Sequence, residues 1–349
     1  MSVNKMLSNA SLAPHTAIIS LLILWLQFVI IKLQKAYVNT IGRPVLMPFI
    51  EVDSRMIYME EHGKSNPSSI ILFHGGPGAG CAGLELLAIE LGERYHVISF
   101  DQCGVSRSDA IREDESFGMT EHIELIDNMR KVLGIDSWTV LGHSYGGILA
   151  CLYAYTYPQS TDAVIYVSTA WDIGMSARAQ AAYLIPYFKR INSEEGINNC
   201  IRLIQNEFEN SQKAHNYLRA SIVPLIKDLS ECLFIHMNED EFAKKSNIWH
   251  SATPVPKNSE SKNSIHRQKL REGGEIYSDF YIYLNKIDKP SLFLAGRYDP
   301  LGGAFEQACF LNNSPCGKVV EFKNSGHFPH IEEPEAFLEA VIDFMDKLS

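Results

Sequence analysis

The chain has 349 residues, 46% hydrophobic and 21% charged, an ordinary globular composition with room for one large domain and an insertion. Its formal charge of −10, from 31 basic and 41 acidic side chains, excludes the basic stripe that nucleic-acid binding requires. The seven cysteines form no C-x-x-C pair and no Cys/His cluster at zinc spacing, so free thiols and no zinc site are expected, and the serine, histidine and aspartate candidates below imply no metal or organic cofactor.

Residues 15–31 read HTAIISLLILWLQFVII, 17 positions without a lysine, arginine or carboxylate. That length is the lower limit for spanning a bilayer. No small-x-small cleavage site follows; the run ends in Lys32, Leu33, Gln34 and Lys35. With Trp25 and lysines at its ends, the expectation is an uncleaved single anchor and linker over residues 1–44, giving a membrane-associated protein. Lys32, Lys35 and Arg43 after the run lean the remainder toward the cytoplasm. The alternative is a helix packed on a soluble cytoplasmic protein.

Residues 48–59 alternate in polarity and predict an antiparallel hairpin. Short apolar runs follow at 69–73 (SIILF), 96–100 (HVISF), 138–142 (WTVLG), 163–168 (AVIYVS), 291–295 (SLFLA) and 318–322 (KVVEF). Each reads as a strand buried on both faces. Helical patterns at 84–92 and 120–134 lie between them, so the fold class is α/β, a mostly parallel, doubly wound sheet. Residues 171–289 show helical periodicity and no strand, a helical cap insertion dividing a domain made of 45–170 and 290–349. Within the insertion, residues 251–264 are polar and read as a mobile loop.

Gly142-His143-Ser144-Tyr145-Gly146 follows a strand and precedes a helix, the context of a G-x-S-x-G nucleophile elbow. A serine hydroxyl needs a base held by a third group. His327, after the last strand and preceded by Gly326, is the candidate, with His330 as its rival. Asp299 stands at the carboxyl end of the preceding strand, whereas Asp288 stands at the wrong end. The order Ser144, Asp299, His327 is that of the α/β-hydrolase fold. An oxyanion requires backbone donors. Tyr145 N–H is one candidate, and Gly76, with Gly75 second, is the other, in the loop His74-Gly75-Gly76-Pro77-Gly78. His74 is expected to fix that loop.

HGGPG at 74–78, DQCGVSRS at 101–108, GHSYGG at 142–147, GRYDP at 296–300 and SGHFPHIEEPEAF at 325–337 together resemble the proline iminopeptidase family of α/β-hydrolases. The resemblance covers residues 45–170 and 290–349. It implies catalytic roles for Ser144, Asp299 and His327, oxyanion donors at Gly76 and Tyr145, and a helical cap. Two positions depart from the family's D-Q-R-G-x-G-x-S: Cys103 replaces an arginine and Ser106 a glycine. Family members hold the substrate's amino terminus with acidic cap residues. The carboxylates here (Glu194, Glu195, Glu207, Glu209, Glu239, Asp240, Glu241) cannot be aligned to that role. The resemblance implies release of N-terminal proline from short peptides; the alternatives are a carboxylesterase or lipid-ester hydrolase, or a non-catalytic binding protein on the same scaffold. The expected partner is a small molecule or short peptide, and oligomeric state is not legible.

Overall fold

Apolar side chains at every position of a strand require cover on both faces, and the inner strands of the sheet are built that way. The computed structural model describes residues 48–206, 208–227, 234–247 and 255–348. The hairpin pairs β1 (Phe49–Val52) with β2 (Arg55–His62). Then come β3 (Ser69–Phe73), α1 (Glu85–Gly92), β4 (His96–Phe100), α2 (Met119–Leu133), β5 (Trp138–His143), α3 (Tyr145–Thr156) and β6 (Thr161–Val167). Among the described residues six α-helices follow before the next strand: α4 (Ile173–Arg190), α5 (Glu194–Gln205), α6 (Ser211–Tyr217), α7 (Glu239–Asn247), α8 (Ser259–Gly273) and α9 (Tyr281–Leu284). The chain closes with β7 (Ser291–Gly296), α10 (Ala304–Asn313), β8 (Gly317–Phe322), α11 (Pro329–Glu332) and α12 (Pro334–Met345).

The sheet order is β1-β2-β4-β3-β5-β6-β7-β8. β2 runs antiparallel to β1 and β4, and every other pairing is parallel. Within β3, Ile70 and Leu72 join the core against α1 and α12, while Ile71 and Phe73 join the core against α2 and α3. β7 divides likewise, Leu292 and Leu294 from Phe293 and Ala295. This period of two is why the runs read as continuously apolar. Helices α4 to α6 bury a separate core of their own around Leu184, Phe188 and Leu203.

Helix α2 starts at Met119, one residue before the expected Thr120, because Gly118 is its cap. Its first amides are satisfied from a distance: Glu275 accepts from Met119 N at 2.7 Å and Thr120 N at 3.1 Å. Gly134 ends it in a left-handed turn at φ 68°.

The run at residues 15–31 lies outside the described residues. Among the described residues no helix is long and apolar enough to cross a membrane.

Two expectations are overturned. KVVEF at 318–322, read as a strand buried on both faces, is β8, and as the last strand of the sheet order it buries only Phe322. Residues 259–264, read with 251–264 as a mobile loop, are the opening of α8. Their polarity belongs to contacts with backbone. Asn263 is buried; its Oδ1 accepts from Ser106 N at 3.0 Å and its Nδ2 donates to Gly78 O at 3.1 Å. One turn on, His266 Nδ1–H donates to Cys103 O at 2.9 Å. Helix α8 thereby ties the 74–78 loop to the 101–108 loop. Ser106 itself sits at φ 44°, a left-handed conformation that glycine adopts without strain. Asn263→Ala leaves a buried donor and a buried acceptor unpaired, so it should lower the unfolding free energy by about 2 kcal/mol, read from urea denaturation.

Candidate active site

The turn between β5 and α3 places Ser144 at φ 55° and ψ −119°, a strained conformation for a residue with a Cβ. The crossing leaves no room nearby. A Cβ on Gly142 would stand 2.1 Å from Gly146 O, and one on Gly146 would stand 2.2 Å from Phe73 O. The small residues flanking Ser144 are therefore a packing requirement. Ser144 N donates to Val167 O at 2.8 Å, which fixes the elbow to the end of β6.

His327 is buried in the loop after β8, with Nδ1 at 3.1 and 3.0 Å from the two oxygens of Asp299. A carboxylate only accepts, so Nδ1 carries a hydrogen directed at Asp299, and the neutral tautomer with this bond has its lone pair on Nε2. Asp299 is buried after β7 and also accepts from Leu301 N at 2.8 Å. The elbow and the histidine loop meet directly: His143 Nε2–H donates to His327 O at 2.9 Å. Asp288 is exposed in the irregular segment before β7.

Tyr145 is the first residue of α3, so its N–H has no acceptor within the helix. The 74–78 loop lies against the elbow, since a Cβ on Gly75 would stand 3.1 Å from Ser144 Cβ. Gly76 adopts φ 120°, open only to glycine. His74 braces this loop: its Nε2 accepts from Gln102 N at 3.1 Å and its Nδ1–H donates to Gly75 O at 2.9 Å. Gln102 Nε2 returns a bond to His74 O at 3.0 Å. The next loop is held by Asp101, paired with Arg107 at 2.6 Å, whose guanidinium lies 3.7 Å over the Tyr58 ring. Burial raises the Asp101 carboxyl, but Arg107 outweighs it and holds the group below its ordinary value.

Three further histidines crowd the elbow. Burial lowers the pKa of His74, His143 and His330, the last to about 3, and their neighbours' positive charges lower His143 and His330 further. His330 packs its ring 4.9 Å from His143 and 5.8 Å from Phe337.

Sequence reading missed the buried carboxylates Glu306 and Glu332. Neither stands in a recognisable motif position, although Glu332 lies inside the SGHFPHIEEPEAF run. Glu194, Glu195, Glu239, Asp240 and Glu241 are exposed on helix faces, and Glu209 is exposed in the bend before α6. Glu207 lies outside the described residues. Glu306, on α10, accepts from Tyr281 Oη at 2.6 Å. Trp171 N–H is a second donor, so Glu306 joins the start of the helical segment to its end.

A family profile described as the alpha/beta hydrolase fold matches residues 68–334. The chain is 26% identical to a proline iminopeptidase of Heyndrickxia coagulans over 292 residues, 83% of this chain and 93% of that one. It is 25% identical to a proline iminopeptidase of Saccharolobus solfataricus, over 82% of this chain and 87% of that one. Among solved structures, a proline iminopeptidase-related protein from Thermus thermophilus superposes with TM-score 0.67 at 18% identity, covering 86% of this chain and 96% of that one. A bacterial membrane phospholipase A superposes with TM-score 0.61 at 18% identity, covering 96% of this chain and 97% of that one.

Burial pushes Glu306 up from 4.5 to about 7, with Asp172 and Asp299 adding to the rise against the bonds from Tyr281 and Trp171. A carboxyl whose folded pKa exceeds its unfolded one binds its proton more tightly when folded, so its contribution to stability falls as pH rises from 4.5 to about 7. Glu306→Gln should remove that slope. Compared with the parent, its unfolding free energy should lose less across this window, by up to about 3 kcal/mol in urea titrations at the two ends.

Proposed function

The chain belongs to the alpha/beta hydrolase fold family and is an enzyme of that type, and from this premise we propose that it is a serine hydrolase releasing an N-terminal residue, proline by preference, from short peptides. The pairing of His327 Nδ1 with Asp299, which leaves Nε2 as the base beside the strained elbow of Ser144, carries the reading.

In this mechanism Ser144 Oγ attacks the scissile carbonyl and passes its proton to His327 Nε2. Asp299 holds the ring's tautomer and stabilises the imidazolium that forms. The carbonyl oxygen gains a negative charge, received by the N–H groups of Gly76 and Tyr145. Collapse expels the amine, which takes the proton from His327 and leaves an acyl-enzyme on Ser144. Water, deprotonated by His327, then releases the acid and restores the serine. The curated relatives' activity supports the choice of a prolyl substrate.

Purified protein assayed with a prolyl-amide fluorogenic substrate and with short- and long-chain aryl esters should release the prolyl product. Ser144→Ala should abolish turnover, with a loss on the order of 10⁶ in kcat. Ester turnover with no prolyl release would replace the peptidase reading by that of an ester hydrolase. Binding without turnover would make the protein a non-catalytic binder.

The apolar run at residues 15–31 supports a separate proposal, membrane association through a single N-terminal helix. Deleting residues 1–35 should move the protein from the membrane fraction to the soluble one. Unchanged fractionation sinks the anchor.

A further inference from the structure

Residues 234–237 cross over both loops that carry the candidate base and its acid. Phe234 O accepts the His327 N–H at 2.8 Å. Phe234 ring lies edge-on to His327, with centroids 6.5 Å apart, and edge-on to Tyr183 at 5.2 Å. Two residues on, the His236 ring stacks on Tyr298, the neighbour of Asp299, at 3.6 Å. The approach is so close that a Cβ on Gly326 would stand 2.0 Å from Phe234 O. To make it, Phe234 adopts φ 55°, an outlier for a bulky aromatic residue and a sign that the surroundings enforce the conformation.

One buried side chain bonds both partners of this crossing. Glu332, 6% exposed, accepts from Gly326 N at 2.8 Å and Phe328 N at 3.3 Å through Oε1. Those are the amides on either side of His327. Through Oε2 it accepts from His236 N at 2.7 Å and Met237 N at 3.0 Å, the amides that follow the Phe234 crossing. A carboxylate supplies four acceptor sites and no donor, which matches four converging N–H groups. A glutamine in the same place would turn an NH₂ toward two of them.

We propose that Glu332 is a positioning residue: it locks the His327 loop to the 234–237 crossing and so holds the base in register with Ser144. The inference rests on the reading of His327 as base. Its energetic logic is that of pre-organisation, in which a displacement of about 1 Å at a reacting group costs on the order of 10²-fold in rate.

The test is a double-mutant cycle on the full-length protein with an activated ester substrate. Urea midpoints and stoichiometric labelling by a fluorophosphonate probe confirm folding. Glu332→Gln should lower kcat about 10²-fold, with KM changed less than threefold and the rate of fluorophosphonate labelling reduced in parallel. Glu332→Asp, a carboxylate one methylene short, should fall between the two and carries the test if the glutamine variant does not fold. A residue acting through His327 has nothing left to position once that ring is gone. Glu332→Gln or Glu332→Asp in a His327→Ala background should therefore cost no further activity. Full kcat in both Glu332 variants overturns the proposal. So does an undiminished further loss in the His327→Ala background, the result expected of a merely structural residue. Full activity of His327→Ala alone would remove the base reading itself, and this inference with it.

Discussion

At the carboxyl edge of the sheet, backbone packs against backbone with no space for a side chain between. Gly142 meets Gly146, Gly146 meets Phe73, and Gly296 at the end of β7 meets Gly326, each so closely that a Cβ would stand within 2.2 Å of a carbonyl oxygen. The loops that carry Ser144, Asp299 and His327 reach one another because of these approaches. The elbow's strain follows from the same geometry, since a chain that leaves β5 and enters α3 across Phe73 must turn within one residue. Burial of the sheet's side chains holds that residue in place; Phe73 and Phe293 are fully buried, and side chains of this size contribute about 1.5–3 kcal/mol each.

Close loops bury amides and carbonyls that have no ladder partner, and these must be satisfied. Here side chains do it in pairs. Gln102 and His74 bond each other's backbone, Asn263 bridges Ser106 to Gly78, Glu275 receives the first amides of α2, and Glu332 gathers four N–H groups around His327. Asn263 and Glu275 come from the stretch between β6 and β7. The loops nearest the elbow are thus completed by residues far away in sequence.

That distance separates what the sequence discloses from what it does not. The inner strands were legible because two-sided burial leaves an unbroken apolar run, and SIILF begins and ends as β3 does. The candidate triad was legible because Ser144, Asp299 and His327 each follow such a run. Asn263 was not, because a polar residue that serves backbone looks the same as one that serves solvent, and its whole segment was read as a loop. Phe234 gave no signal, since nothing local in sequence marks a left-handed aromatic residue. Glu332 stood in a quoted motif without a role, because its partners at 236 and 237 are visible only in three dimensions.

The same packing distinguishes the surroundings of His327 from those of His330, three residues on. Four imidazoles gather at the elbow: His74, His143, His327 and His330. A cluster of that kind cannot hold several positive charges in a buried site, and burial lowers His74, His143 and His330. His74 and His143 have a ring N–H committed to a backbone carbonyl. His330 is wedged against His143 and Phe337. His327 is the ring of the four whose Nδ1 meets a carboxylate. What singles out one imidazole of the four is where Asp299 stands, at the end of β7, together with the glycines that let the β8 loop come down beside it.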